Sequence, residues 1–565
     1  MAKAASMELS TRSDGTIQPF ALAPTPRAEI GMVVSGSLLQ GLDVKLAASQ
    51  EIEDLRAGTF IVVDGARHQF FCMIIDVRLA ATNDQILGDP PRGDETLLRE
   101  ALAGTATYGG LAIRPMLMLP RDAVDLNEPD NLMPVKTIPA HFSPAFHASE
   151  DDVNRVFGAE TADGAYFRIG APLDMDVPVC INLERFVERS NGVFGKSGAG
   201  KTFLTRILLC GIIRSRRAVS LIFDMHNEYG DKASQEDAQQ TTVWGLRRYF
   251  QERVSVFTLD RESTLRRKAT ADYEVIIPFS RITVEDITLL QDELNLPPTA
   301  SETSSALESF YGDQWFEKLV TMDREELKQL AEETTRLNVN HGALRALQRR
   351  LQYLASQCGS FLKATSPDDP VKRIMETLQK GIHVVLEFGL NTKPLQYMLV
   401  ANILTRLIHE EYIKRMETAL GDESRKPMPL VIVIEEAHKF LSPNLSRQTI
   451  FGTIAREMRK FNVTLLVVDQ RPSGIDNEVL SQLGTRITCL LNDERDIDAV
   501  LVGMRDASGL KGILATLDSK EQALVMGHAV PMPVVVKTRK YDDGAFRREM
   551  QPERPARQTF TAEEW

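Results

Sequence analysis

Residues 195–202 read Gly-Lys-Ser-Gly-Ala-Gly-Lys-Thr and fill every position of the phosphate-loop pattern G-x-x-x-x-G-K-[ST]. Glycines stand where such a backbone must bend and approach oxygen closely. Gly195, Lys196, Ser197, Gly198, Ala199, Gly200, Lys201 and Thr202 can therefore cradle the phosphates of a nucleoside triphosphate at a helix N-terminus. Lys201 would reach the β and γ phosphates, and the Thr202 hydroxyl would bind Mg2+. The helix is also written in the text, because Phe203, Leu204, Ile207, Leu208, Ile212 and Ile213 follow at helical spacing.

Hydrolysis of a triphosphate needs carboxylates near the metal, at the C-terminal end of a buried strand beside the loop. Residues 430–436 read Leu-Val-Ile-Val-Ile-Glu-Glu, an apolar strand ending in two acids, which is a Walker B pattern. Glu435 would hold a magnesium-bound water, and Glu436 would orient and deprotonate the attacking water. The next apolar strand, Thr464–Val468, runs into Asp469-Gln470-Arg471-Pro472-Ser473. Gln470 there can sense the γ-phosphate, although Pro472 also favours an ordinary strand-end turn. The intervening helix carries Arg456, Arg459 and Lys460, and basic groups near a helix end often serve only its dipole. Periodicity alone makes neither arginine catalytic.

These groups must be held by a large chain. Its 565 residues suggest roughly three or four structural units, and 43% hydrophobic with 25% charged residues is a globular composition. No apolar run approaches the ~18 residues that would span a bilayer, and the N-terminus lacks a signal-peptide core, so a cytoplasmic protein without membrane contact is expected. Five scattered cysteines form no metal-ligand spacing and read as buried, inert thiols. A net charge of −12 argues against a surface that coats nucleic acid, but not against a local basic channel.

Residues 1–27 read as a flexible arm. Short β-rich runs from Ile30 onward, separated by turn residues, predict a small β-barrel at about 28–165. His68 and His147 within it are lone histidines rather than ligands. From about 166 to 540 the pattern is α/β, with unalternated Val/Ile/Leu runs expected of strands covered on both faces. A helical insertion is placed at about 283–380, and residues 541–565 read as a polar extended arm. The acidic pairs Asp151-Asp152 and Asp368-Asp369 read as solvated loops. Arg214, Arg216 and Arg217, and Arg345, Arg349 and Arg350, are basic groups that could face DNA or simply solvent.

Taken together these segments resemble the HerA family of hexameric RecA-like ATPases, within the HerA/FtsK group of DNA-pumping motors. The likeness rests on motifs in the family's order: Ile30-Gly31-Met32-Val33, the phosphate loop, Asp224-Met225-His226-Asn227-Glu228-Tyr229, Glu435-Glu436-Ala437-His438, and Ile454–Phe461 with the Asp469–Ser473 turn. It implies a RecA-like P-loop core behind a HAS-barrel-like domain, with ATP and Mg2+ as cofactors. It further implies a homohexamer with sites between subunits and double-stranded DNA in the central pore. On that likeness Arg459 is the arginine finger, with Arg456 the alternative, and such a finger contributes ~10³-fold or more to turnover. Glu435 departs from the Asp of many P-loop motors, and Met225 and Asn227 fill the less constrained positions of their element.

Family members usually serve a separately encoded nuclease or NADase-type effector, in DNA end processing or antiphage defence, and the barrel would be its docking face. An ATP-dependent scaffold ring with little translocation is the competing expectation. An ABC ATPase or a GTPase fits worse, since neither an L-S-G-G-Q-like nor an N-K-x-D motif is found.

Overall fold

The computed structural model describes residues 27–551 except 84, 89, 104, 122–131, 162, 235–241, 334–340, 423–424, 447–448, 458–459, 505–506 and 519. No described helix is long and apolar enough to cross a membrane. All five cysteines are buried, unpaired thiols.

Period-2 patterning in the N-terminal region builds a seven-stranded antiparallel sheet in which the strand Gly41–Leu46 pairs with both Glu29–Ser37 and Thr107–Pro120, closing a barrel. Alternate residues divide between two cores. Ile61, Val63, Phe70, Cys72 and Ile74 fill the barrel, whereas Phe60, Val62 and Phe71 point outward into a cluster shared with the second domain. The helix Glu150–Phe157 lies at this junction. Asp152, expected in a solvated loop, is instead buried: it closes a capping box with Ser149 and accepts a hydrogen bond from Arg27 Nε at 2.8 Å. A carboxylate in the first turn of a helix satisfies amide groups that would otherwise lack partners.

The second domain is a twelve-stranded sheet. Its parallel part runs in the order Tyr273–Glu274, Val254–Thr258, His383–Glu387, Val219–Asp224, Leu430–Glu435, Val463–Asp469, Asn191–Phe194 and Thr485–Thr488. Gln522–Gly527, Val534–Thr538, Tyr166–Ala171 and Val179–Asn182 extend it antiparallel. Leu221 and Phe223 face one hydrophobic cluster and Ile222 the other, as burial on both faces requires. Between Val284 and Gln379 the chain is mainly helical, and its Trp315, Phe316, Leu344 and Leu351 join the larger of these cores.

Thr485–Thr488 is held between the phosphate-loop strand and Gln522–Gly527. The arm expected from residue 541 starts with a docked segment: Gly544–Met550 is a helix capped by Asp543, with Phe546 and Met550 buried. Its polar residues made it look solvated, but two apolar side chains one turn apart suffice to anchor it. Phe546 packs edge-on to Tyr249 at 5.7 Å and tilted against Tyr541 at 5.2 Å. Phe546→Ala should therefore weaken this docking by about 3 kcal/mol, seen as faster protease cleavage and amide exchange after residue 540, with the barrel unaffected.

Candidate active site

Four neighbouring parallel strands end in a carboxylate, in the order Glu387, Asp224, Glu435 and Asp469, and the phosphate-loop strand Asn191–Phe194 comes next. The Glu435 strand was expected beside the loop. It stands one strand further off, because Val463–Asp469, buried along its whole length, pairs with both.

The loop itself is anchored at its root. Gly195 N–H donates to Asp469 O at 3.3 Å, and Lys196 N–H donates to Leu490 O at 2.9 Å. Gly198 and Gly200 have φ of 72° and 92°. A Cβ on either would meet nothing within 4 Å, so torsion rather than space demands glycine there. The helix Lys201–Ser215 begins immediately after Gly200. Lys201 is buried, and its Nζ donates to Lys196 O at 2.8 Å across the loop. Ser197 and Gly198 are exposed, Ala199 is buried beneath them, and Thr202 is half-buried in the first helical turn.

Glu435 is clamped through its backbone. Its N–H donates to Tyr397 Oη at 3.1 Å, and the same hydroxyl donates to Glu435 O at 3.0 Å. Its side chain accepts from Tyr229 Oη at 2.8 Å. Burial, and then the neighbouring Asp224 carboxylate, push its carboxyl up to about 8. Glu436 follows with φ 49°, in the left-handed region that costs a non-glycine residue energy and recurs at functional sites. Its carboxylate pairs with Lys439.

Asp469 accepts hydrogen bonds from the backbone N–H of His438 at 2.7 Å and of Arg471 at 2.7 Å. It also bonds His438 Nδ1 at 3.0 Å, which raises the imidazole above its ordinary value. Gln470 is exposed one residue beyond, at the edge between the loop and the Glu435 strand. Arg456 is held within its own chain, by Ser446 Oγ at 3.3 Å and Glu478 at 3.6 Å. Arg459 lies outside the described residues.

The donor set suits the groups the sequence implies. Exposed amides in a glycine nest before a helix suit phosphate. The hydroxyl of Thr202 and a poorly solvated carboxylate at Glu435 are hard oxygen donors, the kind Mg2+ takes alongside phosphate oxygens. Among the described residues no cluster of three acidic, histidine or cysteine groups forms a metal cage, and Mg2+ held mainly by substrate phosphates needs none. Periodicity did not single out Tyr229, Tyr397, His438 or Asp469. Tyr397 lies far away in the long helix Pro394–Thr418 and left no signal, whereas Tyr229, His438 and Asp469 stand within the motifs quoted above without a role of their own.

Residues 167–408 match the family described as Helicase HerA, central domain, and residues 318–505 match Helicase HerA-like C-terminal. The chain is similar to the DNA double-strand break repair helicase HerA of Saccharolobus solfataricus, with 27% identity over 422 residues, 70% of this chain and 72% of that protein. It is also similar to the protein of that name from Sulfurisphaera tokodaii, with 23% identity over 522 residues, 91% of this chain and 93% of that one. VirB4 of Thermoanaerobacter pseudethanolicus aligns at a TM-score of 0.45 with 14% identity, covering 68% of this chain and 98% of that one, a likeness too weak to carry an argument.

Two outcomes follow from the geometry. Glu436→Gly should stabilise the fold by about 1 kcal/mol by removing left-handed strain, measured by chemical denaturation. The His438–Asp469 pair raises the folded-state value of His438 above 6.5. Its contribution is therefore fully present below about pH 6.5 and lost as pH rises through the raised value. The melting-temperature gap between the natural protein and His438→Gln should narrow as pH is raised from 6 to 9.

Proposed function

This chain belongs to the HerA family of ATPases, and we propose that it works in the cytoplasm as a homohexameric ring that moves on double-stranded DNA and serves a separately encoded nuclease or NADase-type effector. One observation carries the hydrolytic part: the phosphate loop, the Glu435-Glu436 pair and the Asp469-Gln470 turn meet on one sheet edge.

In this reading Gly195 to Thr202 hold the triphosphate, and Lys201 leaves the Lys196 carbonyl to neutralise the β and γ phosphates. Thr202 would hold Mg2+ and Glu435 a water bound to it, and the metal when bound would offset charge on the phosphate oxygens. Glu436, turned out of the strand by its left-handed backbone, accepts the proton of the attacking water. Gln470 registers the γ-phosphate. Arg456 is engaged within its own chain, which favours Arg459 as the finger reaching a neighbouring subunit's site. The relatives named above support DNA as the track. Arg214 and Arg217 are bonded to acidic groups, whereas Arg345, Arg349 and Arg350 are exposed on the helix His341–Gln357 and are the better phosphate contacts. Leu39 and Phe142, 84% and 71% exposed on the barrel, suit a docked effector.

Lys201→Ala should lose nucleotide binding, whereas Glu436→Gln should bind ATP but hydrolyse it at least ~100-fold more slowly. Single-particle mass measurement of Glu436→Gln with ATP should show hexamers, and the natural ring should displace a protein roadblock from duplex DNA. A hydrolysing ring that leaves the roadblock in place would instead be a scaffold that assembles the effector. Full turnover by an isolated monomer would sink the shared-site mechanism.

A further inference from the structure

Tyr229 closes the turn that follows the strand Val219–Asp224, and it is completely buried. The turn is fixed by the strand's own last residue: Asp224 accepts the N–H of Glu228 at 2.7 Å and that of Tyr229 at 2.8 Å. Both oxygens of Asp224 are thereby committed to backbone. The phenol is delivered to the adjacent strand, where it donates to Glu435 Oε1 at 2.8 Å. Behind the ring lies the guanidinium of Arg206, 5.6 Å from its centroid and 1% exposed. Arg206 belongs to the helix that the phosphate loop opens. Its guanidinium also lies over the rings of Phe203 and Tyr541 and bonds Glu228 Oε2 at 3.4 Å.

We infer that Tyr229 is a positioning residue for the ATPase site: its hydroxyl occupies Oε1 of Glu435, leaves Oε2 to the magnesium-bound water, and through Arg206 ties that presentation to the phosphate-loop helix. The inference rests on Glu435 being the metal-side carboxylate. A glutamate reaches one methylene further than aspartate and has one more torsion to fix. A donor on one oxygen removes that freedom, and outer partners of this kind set ligand orientation. The ring alone supplies the packing, so its loss and the loss of the hydroxyl are separable.

Tyr229→Phe keeps the ring and removes the donor. Binding of a fluorescent ATP analogue to the full chain, measured with EDTA and then along a Mg2+ titration, reads the site without turnover. With EDTA, Tyr229→Phe should bind within about twofold of the natural protein. Its half-saturating Mg2+ should rise ~10-fold, and kcat should fall while KM for ATP at saturating Mg2+ holds. Glu435→Gln serves as the comparison and should lose most of the Mg2+ response. If Glu435→Gln loses that response and Tyr229→Phe keeps it, the positioning role is overturned while the metal-side reading of Glu435 stands. If Glu435→Gln itself responds normally, that reading falls and the positioning role with it. Loss of binding by Tyr229→Phe already in EDTA would reduce the hydroxyl to a structural part and overturn the inference.

Discussion

A parallel strand covered on both faces carries its last side chain to an edge where water is scarce, and four adjacent strands of this sheet end there in a carboxylate. Each charge must find a partner or take up a proton. Glu387 takes the guanidinium of Arg267 at 2.6 Å, Asp224 takes two backbone N–H groups, and Asp469 takes two more with an imidazole. Glu435 receives one phenol. It is the least compensated of the row, and the protonated form is favoured up to about 8. Beyond Asp469 the phosphate-loop strand ends in a nest of amides that attracts anions. An acidic row beside an anion-binding nest is a place where a cation shared by both lowers the energy of each.

The rest of the molecule is arranged around keeping that edge rigid. The long helix Pro394–Thr418 reaches it through one hydroxyl, Tyr397, which takes up both the donor and the acceptor of the Glu435 backbone. Ring packing on Phe388 at 5.3 Å and Phe440 at 5.4 Å fixes that tyrosine. From the other side the segment leading into the helix Gly544–Met550 brings Tyr541 against Arg206. The barrel contributes Phe60, Val62 and Phe71 to the core beneath the phosphate-loop helix, so its strands at this junction are apolar on both faces.

Much of this was legible in the sequence because it depends on local spacing. The phosphate loop is contiguous, its glycines answer a torsional need, and Glu435-Glu436 follows an apolar run whose length sets the strand. The barrel strands could be read from alternation, although their lengths could not. What escaped depends on contacts between distant residues. Strand order is set by which apolar runs need partners on both sides, and that put Val463–Asp469 between the loop and Glu435. Asp152 looked solvated because its partner, Arg27, lies at the other end of the barrel sequence. The helix after Asp543 was hidden by its composition, since seven residues of FRREM-like polarity give little amphipathic signal.

The two ends of the ATPase domain are neighbours in its sheet, Tyr166–Ala171 pairing with Val534–Thr538. During synthesis the earlier strand leaves the ribosome roughly half a minute before its partner, at ~10 residues per second. The barrel, whose pairings are all completed by His147, can close in that time, but this edge of the sheet must wait for the last strands. Until they arrive, Thr485–Thr488, the strand beside the phosphate-loop strand, has an open side. The strand next to the nucleotide site is thus coupled to completion of the sheet: a product truncated before Gln522 would carry every catalytic motif in sequence and still present an unfinished edge to its surroundings.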